Sequence, residues 1–268
     1  KNRRCTHVFP ERMSHMRLSK NIVFNASAYS LAENTQITQD IMREEYYEIQ
    51  IMQNTVHSVY LLPEQLEEYA YGWLIAKGII KNKSDVTFMR ICDANKYHIQ
   101  LKAEINDKIY TAGSVEAYIA DLPRESWGDI ISIRSMVNLS ESELRRQLDA
   151  IRSNELLSAF APMSYYAAFI QNGELISLSY DTYQPNTLYK MMGLAQTLNT
   201  GYIITNCTAN MENITLFYKM QVPLVVTAGL PTNGALVMAK KAGIALVTKP
   251  EGQSYLLFAD SARRLRDD

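Results

Sequence analysis

From Met163 onward the chain alternates short apolar runs with helical stretches, and this alternation limits the available folds more than any other feature. MSYYAAFI (163–170) and ELISLSY (174–180) flank Gln171-Asn172-Gly173; two β-rich runs around an Asn-Gly pair predict a hairpin. A helix over 187–199 follows, then a strand YIIT (202–205), a helix over 209–220 and a strand PLVVT (223–227). The last repeat is a helix over 233–242 stopped by Gly243, a strand IALVT (244–248), and SYLLF (254–258) as the closing strand. A hairpin followed by β-α-β units requires a mixed sheet, because parallel neighbours need a crossover and the crossovers here are helices. Ligands on such sheets bind where strand ends meet helix N-termini. The loops at those places are 181–186, 207–211, 229–233 and 249–253.

The first half mixes strands and helix. EYYEIQIMQN (45–54) and TVHSVYLL (55–62) predict a hairpin turning at Asn54-Thr55. A helix runs from Pro63, suited to a first turn, to Gly78, suited to a left-handed cap. Leu66, Tyr69, Ala70, Trp73 and Leu74 form its buried stripe. Gly72 interrupts that stripe at a cost of about 1 kcal/mol relative to alanine, which predicts a close approach to a neighbouring element. TFMRICD (87–93) and KYHIQLKA (96–103) predict another strand pair, and TAGSVEAY (111–118) reads as a connection between the halves. DIISIRSMVN (129–138) leads to Ser140 with Glu143 three residues on, a capping box. Leu144, Leu148 and Ile151 continue that helix, which Phe160 and Pro162 bring to an end. The boundary between an N-terminal domain (21–138) and a C-terminal domain (139–268) falls just before it, with residues 1–20 as a mobile arm.

A length of 268 residues suits two such domains, and 47% hydrophobic content supports a sizeable core. A net charge of −1 gives no reason to expect nucleic acid or an anionic membrane as a partner. No apolar run is long enough to span a bilayer, and the basic N-terminal stretch has no apolar core of a signal peptide; a cytoplasmic protein is the expectation. Cys5, Cys92 and Cys207 are far apart, and His7, His15, His57 and His98 form no ligand pattern, so neither a disulfide framework nor a directly bound metal ion is expected.

Each strand-end loop carries two readings. The N–H groups of Thr205-Asn206-Cys207-Thr208 suit a phosphate, but any strand–loop–helix offers the same donors. Gly229-Leu230-Pro231-Thr232-Asn233 is similar, with Thr232 or Asn233 as a plain N-cap. Cys207 is either a nucleophile or a small core residue. Asp181 is either a general base or a turn carboxylate. Tyr165, Tyr166, Tyr180 and Tyr183 either stack a planar ligand or belong to a half-exposed hairpin. Lys249-Pro250-Glu251-Gly252 is a turn whose lysine suits a phosphate. No Walker pattern or G-x-G-x-x-G is present.

Taken in order, several segments resemble the FdhD family of formate dehydrogenase accessory proteins. LLPEQLEEYAYGWLIAKGII (61–80) is similar to the family's T-P-x-D-L-x-x-L-A-x-G-F-L-x-x-E-G-I-I. Met42-Arg43-Glu44-Glu45 stands where the family has E-E before a strand pair. NGELISLSYDTYQPNTLYKMMG (172–193) resembles G-E-L…E-D-V-G-R-H-N-A-L-D-K-L-x-G, and GLPTNGALVMAKKAGIALV (229–247) resembles S-A-P-S-S-L-A-V-E-L-A-E-x-x-G-L-T-L-V. The match runs from about residue 20 to the end. It implies a small N-terminal α+β domain and a cytidine-deaminase-like C-terminal domain with a mixed sheet. No H-x-E…P-C-x-x-C zinc signature accompanies it, so deamination does not follow.

The resemblance also implies transfer of sulfur from a cysteine desulfurase to the molybdenum bis(guanine dinucleotide) cofactor of formate dehydrogenase, through a persulfide on a C-x-x-C loop. In this chain the two cysteine positions fall on Gly113 and Glu116, which cannot form a thiolate. Of the E-D-V-G-R-H-N-A-L-D-K segment, Asp181, Asn186, Leu188 and Lys190 match, while Tyr180, Gln184 and Pro185 replace the Glu, Arg and His. The family's T-H pair falls on Ser164-Tyr165, and its S-G-R-A-S loop on 205–209, with Cys207 or Thr208 at the arginine. Its F-x-K-x-G-R cofactor turn falls on 248–253, keeping Gly252 and placing Gln253 at the arginine. By this resemblance the cofactor-binding candidates are Thr248, Lys249, Pro250, Glu251, Gly252, Gln253, Asp181, Asn186, Lys190, Thr208 and Thr232, and a homodimer is implied. Two functions stay open: an accessory protein that sulfurates or delivers the cofactor, or a non-catalytic binder of another nucleotide or planar metabolite.

Overall fold

Left-handed residue pairs place the tight turns of this protein. The computed structural model describes residues 22–92, 95–122, 129–135, 137–153, 163–195, 198–249 and 254–266. The N-terminal arm, the end of the helix near Phe160 and Pro162, and the turn residues Pro250, Glu251, Gly252 and Gln253 lie outside them.

Strands β1 (Val23–Ser30) and β2 (Thr35–Met42) form a two-stranded antiparallel ribbon that is mostly exposed. Sequence reasoning had no element there. Next come β3 (Glu45–Ile51) and β4 (Asn54–Leu61), an antiparallel pair in which Ile51 faces Asn54. The turn is Met52-Gln53, both at positive φ (51° and 67°), and not Asn54-Thr55. Two left-handed central residues match the twist of the flanking strands, and this outweighs the composition of the next pair. Helix α1 (Leu66–Ala76) follows, then β5 (Val86–Cys92) and β6 (Lys96–Leu101). The sheet order is β4-β3-β6-β5, with β3 and β6 parallel.

The stretch read as a connection is two helices, α2 (Ala103–Ala112) and α3 (Val115–Asp121). Gly113, at φ 89°, ends α2, and the Ser114 hydroxyl caps α3 by accepting from the Ala117 N–H. Strand β7 (Leu139–Ser140) precedes α4 (Glu141–Arg152), and the Ser140 hydroxyl accepts from the Glu143 N–H, one of the two bonds of the expected capping box; the Glu143 carboxylate accepts from the Tyr202 hydroxyl (3.1 Å).

The second half follows the predicted alternation. Its elements are β8 (Tyr165–Gln171), β9 (Glu174–Asp181), α5 (Gln184–Leu194), β10 (Tyr202–Thr208), α6 (Met211–Lys219), β11 (Leu224–Ala228), α7 (Asn233–Ala242), β12 (Ala245–Lys249) and β13 (Leu256–Ala259). Asn172 and Gly173, at φ 52° and 75°, turn the β8–β9 hairpin. Helix α5 starts three residues earlier than expected, because Pro185 fits a helical first turn. The six-stranded sheet has the order β13-β12-β11-β10-β8-β9, parallel from β10 to β12 and antiparallel on both flanks. Strand β14 (Leu265–Arg266) pairs with β7.

One face of this sheet packs against Ile22, Leu62, Leu139 and the Leu144, Leu148 and Ile151 stripe of α4. The other face carries α5, α6 and α7 in a core that continues through α1 into Tyr47, Ile49 and Ile99 of the four-stranded sheet. The joint is the crossing of α1 and α5. A Cβ on Gly72 would sit 1.8 Å from the Tyr189 carbonyl oxygen, and one on Gly193 would sit 1.8 Å from that of Glu68. The two helix backbones meet there without side chains between them, which is the close approach Gly72 predicted.

Candidate ligand site

The parallel order of β10, β11 and β12 brings their C-terminal ends, with Asp181 at the end of β9, to one edge of the sheet. Three of the residues singled out there face inward. Asp181, Asn186 and Lys190 are buried at 0%, 2% and 0% exposure. The Lys190 ammonium lies 2.7 Å from Asp181 Oδ2 and donates to the carbonyls of Leu62 (3.2 Å) and Tyr180 (3.3 Å). Asp181 Oδ2 accepts from the Leu62 N–H, and Asp181 Oδ1 from the Asn186 amide (3.1 Å), which also donates to the Tyr60 carbonyl. Burial pushes the Lys190 pKa down, and the Asp181 carboxylate opposes it. Burying two charges is tolerable because each is paired and its remaining positions are hydrogen-bonded. These residues tie the β4–α1 connection to α5; none of the three presents its polar atoms to solvent for a ligand or for base catalysis.

The donors of the 205–208 loop have partners within the chain. Gln184 Oε1 accepts from the Thr208 N–H (3.1 Å), the Thr208 hydroxyl (3.0 Å) and the Asn213 amide (2.9 Å). The Cys207 N–H goes to the Thr205 hydroxyl, and Asn210 caps α6 through the Asn213 N–H. A side-chain amide thus occupies donors that an anion would need. Thr232 caps α7, the plainer of its two readings. Thr248 is fully buried, and the structure describes no orientation for the Lys249 side chain.

Cys207 is also buried, and burial pushes its thiol up to about 12. At neutral pH it stays a thiol, so it lacks the thiolate that a sulfur-transfer nucleophile needs. Gly113 holds a left-handed cap that disfavours a side chain. Glu116, in the first turn of α3, lines a cleft of about 1010 Å³ with Lys77, Lys81, Tyr218 and Met238. Among the described residues, no group of three or more His, Cys, Asp or Glu is placed to hold a metal ion.

A second groove, of about 590 Å³, opens on the other side of Lys77. Aromatic residues line part of it, with Trp73 (3% exposed) and Tyr69 (0%) buried beneath the surface. His57 of β4 stacks on Trp73 of α1, with ring centroids 4.7 Å apart and planes 13° from parallel. His57 Nε2 lies 2.9 Å from the Tyr69 hydroxyl, and the Tyr69 ring meets Tyr189 edge-on. Burial lowers the His57 pKa to about 4, and Lys77 adds to the effect, so the imidazole is neutral at pH 7. Tyr60 and the exposed Tyr183 complete the rim. Glu44, hydrogen-bonded by the Thr182 hydroxyl, and Glu212 supply carboxylates.

Flat apolar walls beside carboxylates suit a planar ligand with N–H donors on its edge. Of the tyrosines proposed to stack, Tyr183 lines this groove. Tyr180 is instead buried, with its hydroxyl on Glu64. His57 and Trp73 escaped sequence reasoning because they lie on different elements. The available signal was that Trp73 shares a helix stripe with Tyr69 while His57 shares a strand face with Val59 and Leu61.

No helix among the described residues is long and apolar enough to cross a membrane. The chain is 18% identical over 243 residues to a sulfur carrier protein FdhD of Acinetobacter baylyi, covering 84% of this chain and 88% of that protein. It is 23% identical over 235 residues to a sulfur carrier protein FdhD of Burkholderia cenocepacia, covering 78% and 84%. Its fold is similar to the crystal structure of a putative formate dehydrogenase accessory protein from Desulfotalea psychrophila, with TM-score 0.69, 16% identity, and 90% and 98% coverage. The FdhD/NarQ family model matches residues 42–265, which takes in both sheets, the α1–α5 crossing and both grooves, and the chain belongs to that family.

Proposed function

We propose that this protein is an accessory factor of formate dehydrogenase that holds the guanine end of the molybdenum bis(guanine dinucleotide) cofactor and does not carry sulfur. The observation that carries this reading is the groove rimmed by Tyr60 and Tyr183 beside His57 and Tyr189, with the carboxylates of Glu44 and Glu212. Guanine offers a flat face for stacking and an N–H edge that a carboxylate binds well. Glu44 and Glu212 would meet that edge, Tyr183 would cover the base, and neutral His57 would add a wall without repelling N–H donors. The cofactor supplies the redox chemistry of the enzyme that receives it; the residues here bind and shield. The family's sulfur relay has no support in this chain, since its cysteine positions are Gly113 and Glu116 and Cys207 is a buried thiol. The order of the second half supports a cytidine-deaminase-like unit over 139–268.

A second reading has one observation in its favour. Among the described residues Lys77 is the one lysine or arginine lining the groove, against two carboxylates, which suits a planar metabolite without phosphates. Calorimetric titration with GDP and with guanosine separates the two. Binding of GDP, weakened by Tyr183→Ala and Glu212→Gln, supports the first reading. Guanosine binding as tightly as GDP shifts the assignment to a phosphate-free ligand, and no binding of either removes guanine from the groove.

A further inference from the structure

Arg264, just before β14, is a cation buried without an anion. It is 2% exposed, and its guanidinium donates to the carbonyls of Gly243 (2.5 Å) and Ile133 (2.9 Å). Its Nε has no partner, and among the described residues no carboxylate forms an ion pair with it. Asp260 accepts from the Arg264 backbone N–H (2.8 Å). Burial lowers the Arg264 pKa, and the charge of Asp260 opposes that shift. The C-terminal end of α7 accounts for part of the placement, because Gly243 follows that helix and its carbonyl lies at the negative end of the dipole. It does not account for Nε. A buried polar group left unpaired costs stability, and a charged one costs more than a neutral one.

Arg264 lines a cavity of about 450 Å³ together with Ile133, Arg134, Ser135 and Ala262. The cavity's wall is held in place by hydrogen bonds. The Ile133 N–H donates to the Ala242 carbonyl (2.8 Å), and the Ser135 hydroxyl donates to that of Asn199 (2.6 Å) while accepting from the Val137 N–H (3.1 Å). Exposed Arg134 and Ser135 also line a neighbouring polar cleft of about 790 Å³, which contains Arg146. Glu143 is the one acidic residue among those described there, and its carboxylate already accepts from the Tyr202 hydroxyl. Positive charge is therefore in excess across both spaces. Gly243 precedes β12, whereas Asp181 and the groove beside it lie where the strands end, so this cavity sits at the opposite edge of the sheet.

We propose that the cavity binds a phosphate group, held by the buried Arg264 and the exposed Arg134. Phosphate supplies the missing counter-charge, and its oxygens suit both the unused Nε–H and the fork of a second guanidinium. The group is either the free ion or the end of a small phosphate ester whose polar body lies in the cleft beside Arg146.

Calorimetric titration of the full chain with sodium phosphate at pH 7.5, against sodium chloride of matched ionic strength, tests this. Phosphate should bind with a Kd of about 1 mM or below, and chloride should not bind. Arg134→Gln and Arg264→Lys should each weaken phosphate at least tenfold. Arg90→Gln, the same loss of charge on β5, should leave it unchanged. Circular dichroism melts check that each variant folds, and the exposed Arg134 carries the test if Arg264→Lys does not. Glycerol phosphate binding more tightly than phosphate, with the gain lost in Arg146→Gln, identifies an ester; equal binding identifies the free ion. Absence of phosphate binding, binding untouched by Arg134→Gln, or an equal loss in Arg90→Gln would overturn the proposal.

Discussion

Gly72→Ala tests whether the two halves of the molecule are joined by backbone contact. The new Cβ would lie 1.8 Å from the Tyr189 carbonyl oxygen and 2.6 Å from its carbon, where an ordinary contact is about 3.5 Å. Both obstructing atoms are backbone, so no rotamer change relieves the overlap, and α1 and α5 must part by more than an ångström. Helix propensity alone favours alanine by about 1 kcal/mol. Overpacking costs about 1–3 kcal/mol, and more where backbone must move. Parting the helices also stretches the bonds of Leu62 to Asp181 and Lys190. The net expectation is a loss of about 2–4 kcal/mol, which lowers the melting midpoint by roughly 4–15 °C for a chain of this size.

Thermal and urea unfolding of Gly72→Ala, Gly193→Ala and the double variant measure it. The double variant should cost less than the sum of the singles, because one separation accommodates both new methyl groups. A stability equal to or above wild type in Gly72→Ala would refute the reasoning, since propensity would then outweigh the crossing.

Three other perturbations have defined outcomes. Lys190→Met leaves the Asp181 carboxylate buried without its cation and should cost about 3–5 kcal/mol in urea unfolding, while adding Asp181→Asn should recover part of the loss; a neutral single variant would contradict the buried pair. Cys207 should react with a thiol reagent at pH 7.5 no faster than global unfolding allows, and rapid labelling of folded protein would mean that the thiol is reachable. The folded-state pKa of His57 is depressed, so below pH 6.5 the unfolded chain takes a proton that the fold refuses until about pH 4. Stability therefore falls across that window by about 1–2 kcal/mol, after discounting for partial solvent access. His57→Gln should flatten this slope, and an unchanged slope would assign it to other groups.

The second half was legible because it alternates burial with turn chemistry. Thr232 and Gly243 bracket α7 at both ends, and Ser140 with Glu143 marks the start of α4. Helices α2 and α3 were not legible. Ile109 and Val115 are their buried residues and Lys102 gives α2 no capping side chain, so no stripe announced them; Gly113 and Ser114, a helix stop and an N-cap, were the signals available. The ribbon gave little burial signal: apart from Val23 and Met42 at its base, Phe24, Ile37 and Tyr29 are exposed. The site was least legible where charge was read as function. An aspartate and a lysine in a strand-end segment read as ligand contacts, yet which side of the backbone they face depends on α1, more than a hundred residues earlier.

That placement explains which parts of the family's motif this chain keeps. The matching residues Asp181, Asn186, Leu188 and Lys190 are all buried at 2% exposure or less, and three of them tie the halves together. Asp181, Asn186 and Lys190 each bond within the chain, so these motif positions have a use in the fold. The replaced positions divide by what their new side chains do. Gln184 fills the donors of the 205–208 loop, Tyr180 takes a carboxylate partner from Glu64, and Pro185 sits in the first turn of α5. At the positions the resemblance assigns to the cysteines, Gly113 and Glu116 serve a helix cap and a helix first turn. Gly113 and Glu116 thus serve helix ends in the described fold, and the proposed guanine binding rests on the groove beside Lys77.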